Sequence, residues 1–405
     1  MHVLAGESAL RALRAVRYRD LPIYVQTPEL DEPSVLLPSQ EPDDLVPPTR
    51  EEDSFASEET LEDAGFAFEQ VETNAHVDLW RLGNIGGFTS AQPLELVSFQ
   101  RNRRVRQKRS RSRMLPRTLP ASALVRVDPN LYFVCPELIV LQMAGSLSLM
   151  ALVQLIMELC GSYALEPTGG NRRQCNYHVS PVTTISRIRA YHAHVLTRGC
   201  SDKIQQALKL AMEGAASPAE TNLALMLSLP PDMGGYGFPQ PQLNAKLTVA
   251  DEERNNVSHD YYKLDLFWQD AYTALEYESD EFHLSPEAAM SFVSLRDKGA
   301  PQDPAIIAQR YAYIAKAASD RCRVRDVQYL GINVIPVVSF DLQSVRRMDQ
   351  VARSLARNFE RNAMLDMSAW LETLDEFPFW QRRHRLLREL RASTEELDAW
   401  SILAR

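Results

Sequence analysis

The sequence predicts an α/β protein in two parts with a tail: a mixed α/β accessory domain over residues 1–214, a second domain over 215–362 and a helical extension over 363–405. Three observations carry this reading. A length of 405 residues exceeds what one hydrophobic core ordinarily serves. Apolar residues recur at helical spacing in some segments and in short alternating or continuous runs in others. From Ser217 onward the segments follow the order helix, three antiparallel strands, helix, strand, helix, or αβββαβα.

In the first half, Ser8 is placed to cap a short helix, ALRALRAVR. Residues 28–63 are acidic, proline-rich and almost free of aromatics. Such a segment buries too little apolar area to offset chain entropy, so it is expected to be a disordered insertion. LELVSF (94–99) reads as a strand, and strands are expected at 123–127 and 131–134. The stretch LIVLQMAGSLSLMALVQLIM (138–157) carries no charge and is long enough to span a bilayer. Its polar residues, and the AGSLS break with Ser148 as a cap, instead predict two buried helices and no membrane span. A helical region is expected from about 182 to 213.

In the second half, Ser217-Pro218 with Glu220 in the first turn is a helix start, and Pro230-Pro231 a stop. NAKLTVA (244–250), YYKLDLFW (261–268) and AYTALEYES (271–279) read as successive strands. A long helix is expected over 304–330, closed by Gly331. INVIPVVSF (332–340) reads as a buried strand, after which Asp341 caps a helix to about Asn362.

Composition excludes several classes. The five cysteines are far apart and form no CxxC pair, which argues against a disulfide scaffold or zinc ribbon and fits a reducing, cytoplasmic location. The N-terminus lacks the pattern of a signal peptide. GNIGG (83–87) and GGYG (234–237) show no phosphate-loop frame and read as turns; GxSxG and HExxH are absent.

The acidic residues of the second domain are the candidate chemistry. Asp265 lies mid-strand between apolar neighbours, and Glu276 and Glu278 lie two apart on the next strand, so both point to one face. Glu220 sits on the preceding helix. Carboxylates gathered in this way repel unless a cation or protons compensate, and a hard divalent ion with oxygen ligands, Mg2+ or Mn2+, is the natural compensation. The alternative is a set of exposed acids on a half-solvated strand.

These residues resemble the PD-(D/E)xK nuclease superfamily, and within it the Vsr-like (very-short-patch-repair-type) endonuclease branch. DLFW supplies Asp265, LEYESDEFH supplies Glu276, Glu278 and His283, and SDRCRVRDVQYLGINVIPV supplies Asp320, Arg323 and Gly331. The likeness covers about 215–362. The upstream segments are similar to uncharacterised actinobacterial proteins and faintly to AbiEi-type abortive-infection antitoxins. The resemblance implies a restriction-endonuclease-like αβββαβα core and metal-assisted phosphodiester hydrolysis. Asp265, Glu276 and the Tyr277 carbonyl would hold the ion with help from Glu220, and His283 would move the proton. The chain departs from the pattern at Glu278, where the wider superfamily has lysine, and at Ser279 after it, where the branch has glycine.

A basic run, Arg101–Arg117, lies in a chain of net charge −9. Arg101, Arg103, Arg104, Arg106, Lys108, Arg109, Arg111 and Arg113 are its candidate nucleic-acid contacts, with Arg323 as a further phosphate contact or as an ion-pair partner of Asp320. The run reads alternatively as a solvated loop or a partner of the acidic insertion. The tail has two uses open to it: docking on the core, the default, or pairing two chains through Trp370, Leu374, Phe377 and Trp380. The favoured function is a metal-dependent endonuclease, acting on DNA in preference to RNA. A non-catalytic nucleic-acid-binding or antitoxin-like regulator and a protein-interaction module are the alternatives.

Overall fold

The computed structural model describes residues 1–19, 24–25, 34–35, 59–72, 88, 93–100, 110–128, 130–167, 175–195, 200–278 and 318–395. It is mixed α/β and divides into two compact units, residues 1–221 with 389–405 and residues 222–388. This division falls just after the expected 214/215 boundary, and residues 363–388 of the tail belong to the second unit. Among the described residues no helix is long and apolar enough to cross a membrane.

The first unit is built on a seven-stranded mixed sheet of order β3-β2-β6-β7-β1-β4-β5. Its strands are β1 (His2–Leu4), β2 (Tyr24–Val25), β3 (Ser34–Val35), β4 (Leu94–Ser98), β5 (Ser110–Met114), β6 (Leu124–Asp128) and β7 (Leu131–Val134). A separate two-stranded antiparallel sheet pairs β8 (Tyr163–Leu165) with β9 (Cys175–Tyr177). Helix α1 runs Gly6–Tyr18, so Ser8 is not its cap. Ser8 is buried within the helix, and its hydroxyl accepts the Glu95 backbone N–H at 2.9 Å. The charge-free stretch forms α2 (Pro136–Met143) and α3 (Leu149–Leu159), and Ser148 caps the second by accepting the Ala151 N–H at 3.2 Å. Helices α4 (Ile185–His194) and α5 (Ser201–Leu210) follow.

Two arginines of α1 lock it to the end of α3. Arg14 makes two hydrogen bonds with Glu158, at 2.9 and 2.6 Å, and both side chains are buried. Arg17 donates to the carbonyls of Glu158, Gly161 and Ser180, where the dipole at the end of α3 favours a cation. Burial lowers the Arg17 pKa to about 10.

The insertion predicted to be disordered is ordered at its downstream end. Leu61 is buried, and its N–H bonds the Leu119 carbonyl at 2.7 Å, while Thr60 and Asp63 close a turn through each other's side chains. One buried leucine anchors this turn, and a composition averaged over the whole acidic segment hides it. The remainder lies outside the described residues apart from the two residues of β3.

The boundary between the units falls in helix α6 (Pro218–Ser228). The second unit then has strands β10 (Gln242–Thr248), β11 (Tyr261–Trp268) and β12 (Thr273–Glu278), the described part of a helix, α7 (318–329), strand β13 (Asn333–Val338) and helix α8 (Val345–Asn362). The sheet order is β10-β11-β12-β13, antiparallel for the first two pairings and parallel for the last. Among the described residues the elements run in the expected order, and residues 304–317 of the helix expected over 304–330 lie outside the described residues. Gly331 closes α7 at φ +84. Asp341 does not cap α8. It starts a short 3-10 turn, accepts the Val338 N–H at 3.0 Å, and leaves Ser344 at the cap position.

Val327 of α7 joins Tyr262, Leu264, Phe267, Ala274 and Ile332 in one core cluster. Helix α8 buries Val345, Met348, Leu355 and Phe359 at helical spacing, and Phe359 meets Trp268 and Phe238. The tail forms α9 (Ser368–Leu374) and α10 (Phe377–Glu395). Trp370 and Leu374 are used inside the unit, so they are not free to pair two chains: Trp370 donates to the Tyr236 carbonyl at 2.5 Å and packs on Phe238, and Leu374 is buried. Phe377 and Trp380 are exposed. Gly234, at φ +94, has no room for a Cβ, which would fall 2.4 Å from the Arg382 carbonyl of α10.

Two outcomes follow. Arg14→Ala removes the ion-pair partner of the buried Glu158, leaving it the Leu165 N–H and the nearby Arg17 charge, and should cost about 3 kcal/mol of first-unit stability in denaturant unfolding. Gly234→Ala, strained at positive φ and pressed on α10, should lower second-unit stability by about 1–3 kcal/mol in the same measurement.

Candidate functional site

Asp265 and Glu276 come together where β11 and β12 part. The ladder between these strands pairs Trp268 with Thr273, Phe267 with Ala274 and Leu266 with Leu275. Beyond it the Asp265 carboxylate takes the next main-chain donor, the Tyr277 N–H, at 2.7 Å. On the other side of β11, Asn244 of β10 has φ +49, within a pairing that resumes on either side of it. Asparagine is among the side chains that adopt this conformation most readily. A side chain replaces a backbone partner on one flank, and a left-handed residue interrupts the other.

Glu276 is buried, 6% exposed. Its Oε2 accepts from the Arg323 guanidinium at 2.6 Å, and its Oε1 is buried with no hydrogen-bond partner among the described residues. Arg323, on α7, also donates to the Lys263 carbonyl of β11. The sequence leaves Arg323 open to a phosphate or to Asp320; the fold gives its guanidinium to Glu276. The signal was the i, i+3 spacing of Asp320 and Arg323, but a local pattern says nothing of a partner 47 residues away.

Burial pushes the Glu276 carboxyl from its ordinary 4.5 up to about 8, with the nearby Asp265 charge adding to the shift and Arg323 opposing it. Burial also raises Asp265, against the opposing Tyr277 hydrogen bond and Arg323 charge. For Arg323 burial acts downward, but Glu276 and Asp265 outweigh it and the pKa rises. The site is thus two carboxylates and one guanidinium, with both carboxyl groups held above their ordinary range by burial.

Asp326, three residues after Arg323, escapes the sequence reading. It is 2% exposed and accepts from the Ser258 N–H and the Tyr262 hydroxyl, both at 3.0 Å. The Ser258 hydrogen bonds hold its pKa down at about 2. It ties α7 to β11 and so holds Arg323 in place.

The other expected residues fall elsewhere. Glu220 closes a capping box: its two oxygens accept from the Ala216 N–H and the Ser217 hydroxyl, both at 2.9 Å, and Ser217 accepts the Glu220 N–H. Glu278 ends β12 and is exposed. His283 and the basic residues Arg101, Arg103, Arg104, Arg106, Lys108 and Arg109 lie outside the described residues. The described part of the basic run is edge strand β5 rather than a loop, paired parallel with β4. Arg111 is exposed there, but Arg113 is spent on Glu95 at 2.6 Å and on the Gln142 carbonyl at 3.1 Å.

Among the described residues no group of three or more His, Cys, Asp or Glu side chains is arranged to hold a metal ion. Asp265 and Glu276 nevertheless form a hard-oxygen pair, and the unpartnered Glu276 Oε1 is an atom that a proton or a cation would satisfy. Set against family models, curated proteins and solved structures, the chain matches none.

The sign of the pH dependence is fixed by Glu276. The folded chain keeps a proton that the unfolded chain releases, so this contribution to stability is complete below about pH 4.5 and lost as pH rises to about 8. Glu276→Gln does not titrate. Its stability relative to wild type should rise between about pH 4.5 and about pH 8, by up to about 1.4 kcal/mol per pH unit in chemical denaturation.

Proposed function

We propose that the second unit is a nuclease-like domain that hydrolyses nucleic-acid phosphodiester bonds with a divalent cation, DNA being the favoured substrate. One observation carries the reading: a buried Glu276 oxygen without a hydrogen-bond partner among the described residues, beside Asp265 on the neighbouring strand. The likeness of DLFW and LEYESDEFH to Vsr-like endonucleases and the helix–three strands–helix–strand–helix order support it. Asp265 and Glu276 would hold Mg2+ or Mn2+, together with the Tyr277 carbonyl. The ion, when bound, supplies charge to the scissile phosphate and lowers the pKa of an attacking water.

The chain's own groups prepare for that. The Tyr277 N–H fixes the Asp265 carboxylate. Glu276 gives up its proton as it takes a cation. Arg323 pairs with Glu276 in the meantime and would meet a phosphate brought there. His283 and Glu278 are the proton-transfer candidates that the resemblance supplies.

A second reading has its own observation. Arg323 already neutralises Glu276 at 2.6 Å, as a protein that has dispensed with the ion would arrange. The chain would then be a non-catalytic nucleic-acid-binding regulator, antitoxin-like. Mn2+ titration by calorimetry and nicking of supercoiled plasmid separate the two. In the catalytic reading the full chain binds Mn2+ and nicks, Asp265→Asn and Glu276→Ala each lose about 100-fold or more, and Arg323→Ala binds Mn2+ at least as tightly as wild type. In the regulatory reading neither wild type nor Arg323→Ala binds the ion.

A further inference from the structure

Helix α10 carries a surface that the Asp265–Glu276 pair does not use. Phe377 and Trp380 are 64% and 40% exposed. Their rings stack, with centroids 6.0 Å apart and planes 14° from parallel, and His384 sets its edge against Trp380 at 4.1 Å. At helical spacing Phe377, Trp380, His384 and Arg388 fall on one stripe, with Arg385 beside it. Arg385 and Arg388 are exposed, and no ion pair joins either to a carboxylate among the described residues. No Asp or Glu lies between Phe377 and Arg388, in a chain of net charge −9.

The stripe stands on a fixed base. On the opposite face Arg383 is buried, 3.2 Å from Asp349 and bonded to the Leu374 carbonyl, and Leu386 and Leu387 are buried. Gly234 lets the chain pass against the Arg382 carbonyl. The rings are therefore held out from a packed helix.

We propose that this face of α10 binds single-stranded nucleic acid, with bases stacking on Phe377 and Trp380 and phosphates meeting Arg385 and Arg388. Exposed aromatic rings beside guanidinium groups are what unpaired bases on a phosphate backbone require. A duplex keeps its base faces stacked inside and offers nothing to the rings. A membrane is a poorer occupant, because Leu386 and Leu387 of this segment are buried and Phe379 is half-buried under Arg382, which leaves little apolar surface to insert beside the two rings. A second copy is poorer too, since a twofold contact would set these arginines against each other. The proposal deepens the nucleic-acid reading and rests on it for the class of partner, but it does not need the carboxylate pair to be active.

The test is anisotropy of a labelled oligothymidylate of about twenty nucleotides with the full chain in EDTA at low salt, so that no divalent ion contributes. Wild type should bind, quench tryptophan emission, and prefer the single strand to a duplex of the same length. Trp380→Ala should weaken binding about ten-fold and abolish most of the quench, with Trp380→Phe keeping part of the affinity. Arg385→Glu with Arg388→Glu should weaken binding and reduce the salt slope by about 2. Circular dichroism melts verify that each variant is folded. No binding by wild type, a duplex bound as well as the single strand, or a folded Trp380→Ala that binds equally well overturns the proposal. So does Trp380→Ala abolishing dimerisation or sedimentation with phosphatidylserine vesicles while oligonucleotide binding persists. Binding in EDTA without nicking in Mn2+ sinks only the catalytic reading and leaves this surface standing.

Discussion

Two carboxylates placed side by side on neighbouring strands lose hydration and repel each other, and the centre of the second unit is arranged around that cost. Asp265 meets part of it with a main-chain N–H, Glu276 with a guanidinium on one oxygen only. Neither is fully compensated, and burial therefore drives proton uptake on Glu276 toward neutral pH. The surrounding scaffold serves the same arrangement. Asp326 ties α7 to β11, α7 delivers Arg323, and the interrupted pairing around Asn244 and Asp265 opens the sheet where the two acids meet. A pair kept in this incompletely satisfied state is costly for stability alone, which is why it is read as a functional site.

Arg323 is the pivotal side chain of that reading. It shares the face of Glu276 that a cation would claim, so the same contact serves as compensation in a working site and as a replacement in a silent one. Stability alone cannot separate these roles, because removing the arginine costs folding energy in both. Its effect on cation affinity does separate them, since a competitor and a substitute have opposite consequences.

The second unit presents positive charge in a different manner from the first. In the first unit Arg14 and Arg17 fasten α1 to α3 and Arg113 of β5 is bound to Glu95, while Arg111 of β5 is exposed. On α10 the buried arginine, Arg383, is the fastening, and Arg385 and Arg388 face outward beside stacked rings. The density of basic residues along the chain is thus a poor guide to which of them is available. The described end of the strongest run holds a paired arginine, Arg113, beside the exposed Arg111, while Arg385 and Arg388 of the tail have no carboxylate partner among the described residues.

Much of the element order was legible without coordinates, because it rests on local physics. Ser148 caps α3, Ser217 and Glu220 box the start of α6, Gly331 ends α7, and the alternation in YYKLDLFW is a half-buried strand. The nearness of Asp265 and Glu276 was legible too, since a tight turn between antiparallel strands leaves little choice. Local patterns could not reveal partners drawn from far along the chain. Glu220 reads equally well as a ligand or a cap until Ala216 and Ser217 are seen to take both oxygens. Leu61 fixes its turn only through the distant Leu119 carbonyl. Trp370 and Trp380 look alike in sequence, yet one packs half-buried on Phe238 and the other is exposed. The sequence by itself determined which elements form and in what order, because caps, turns and periodicity act over a few residues. Only the tertiary structure decided which charges and rings remain available, because burial and pairing depend on segments that meet in space.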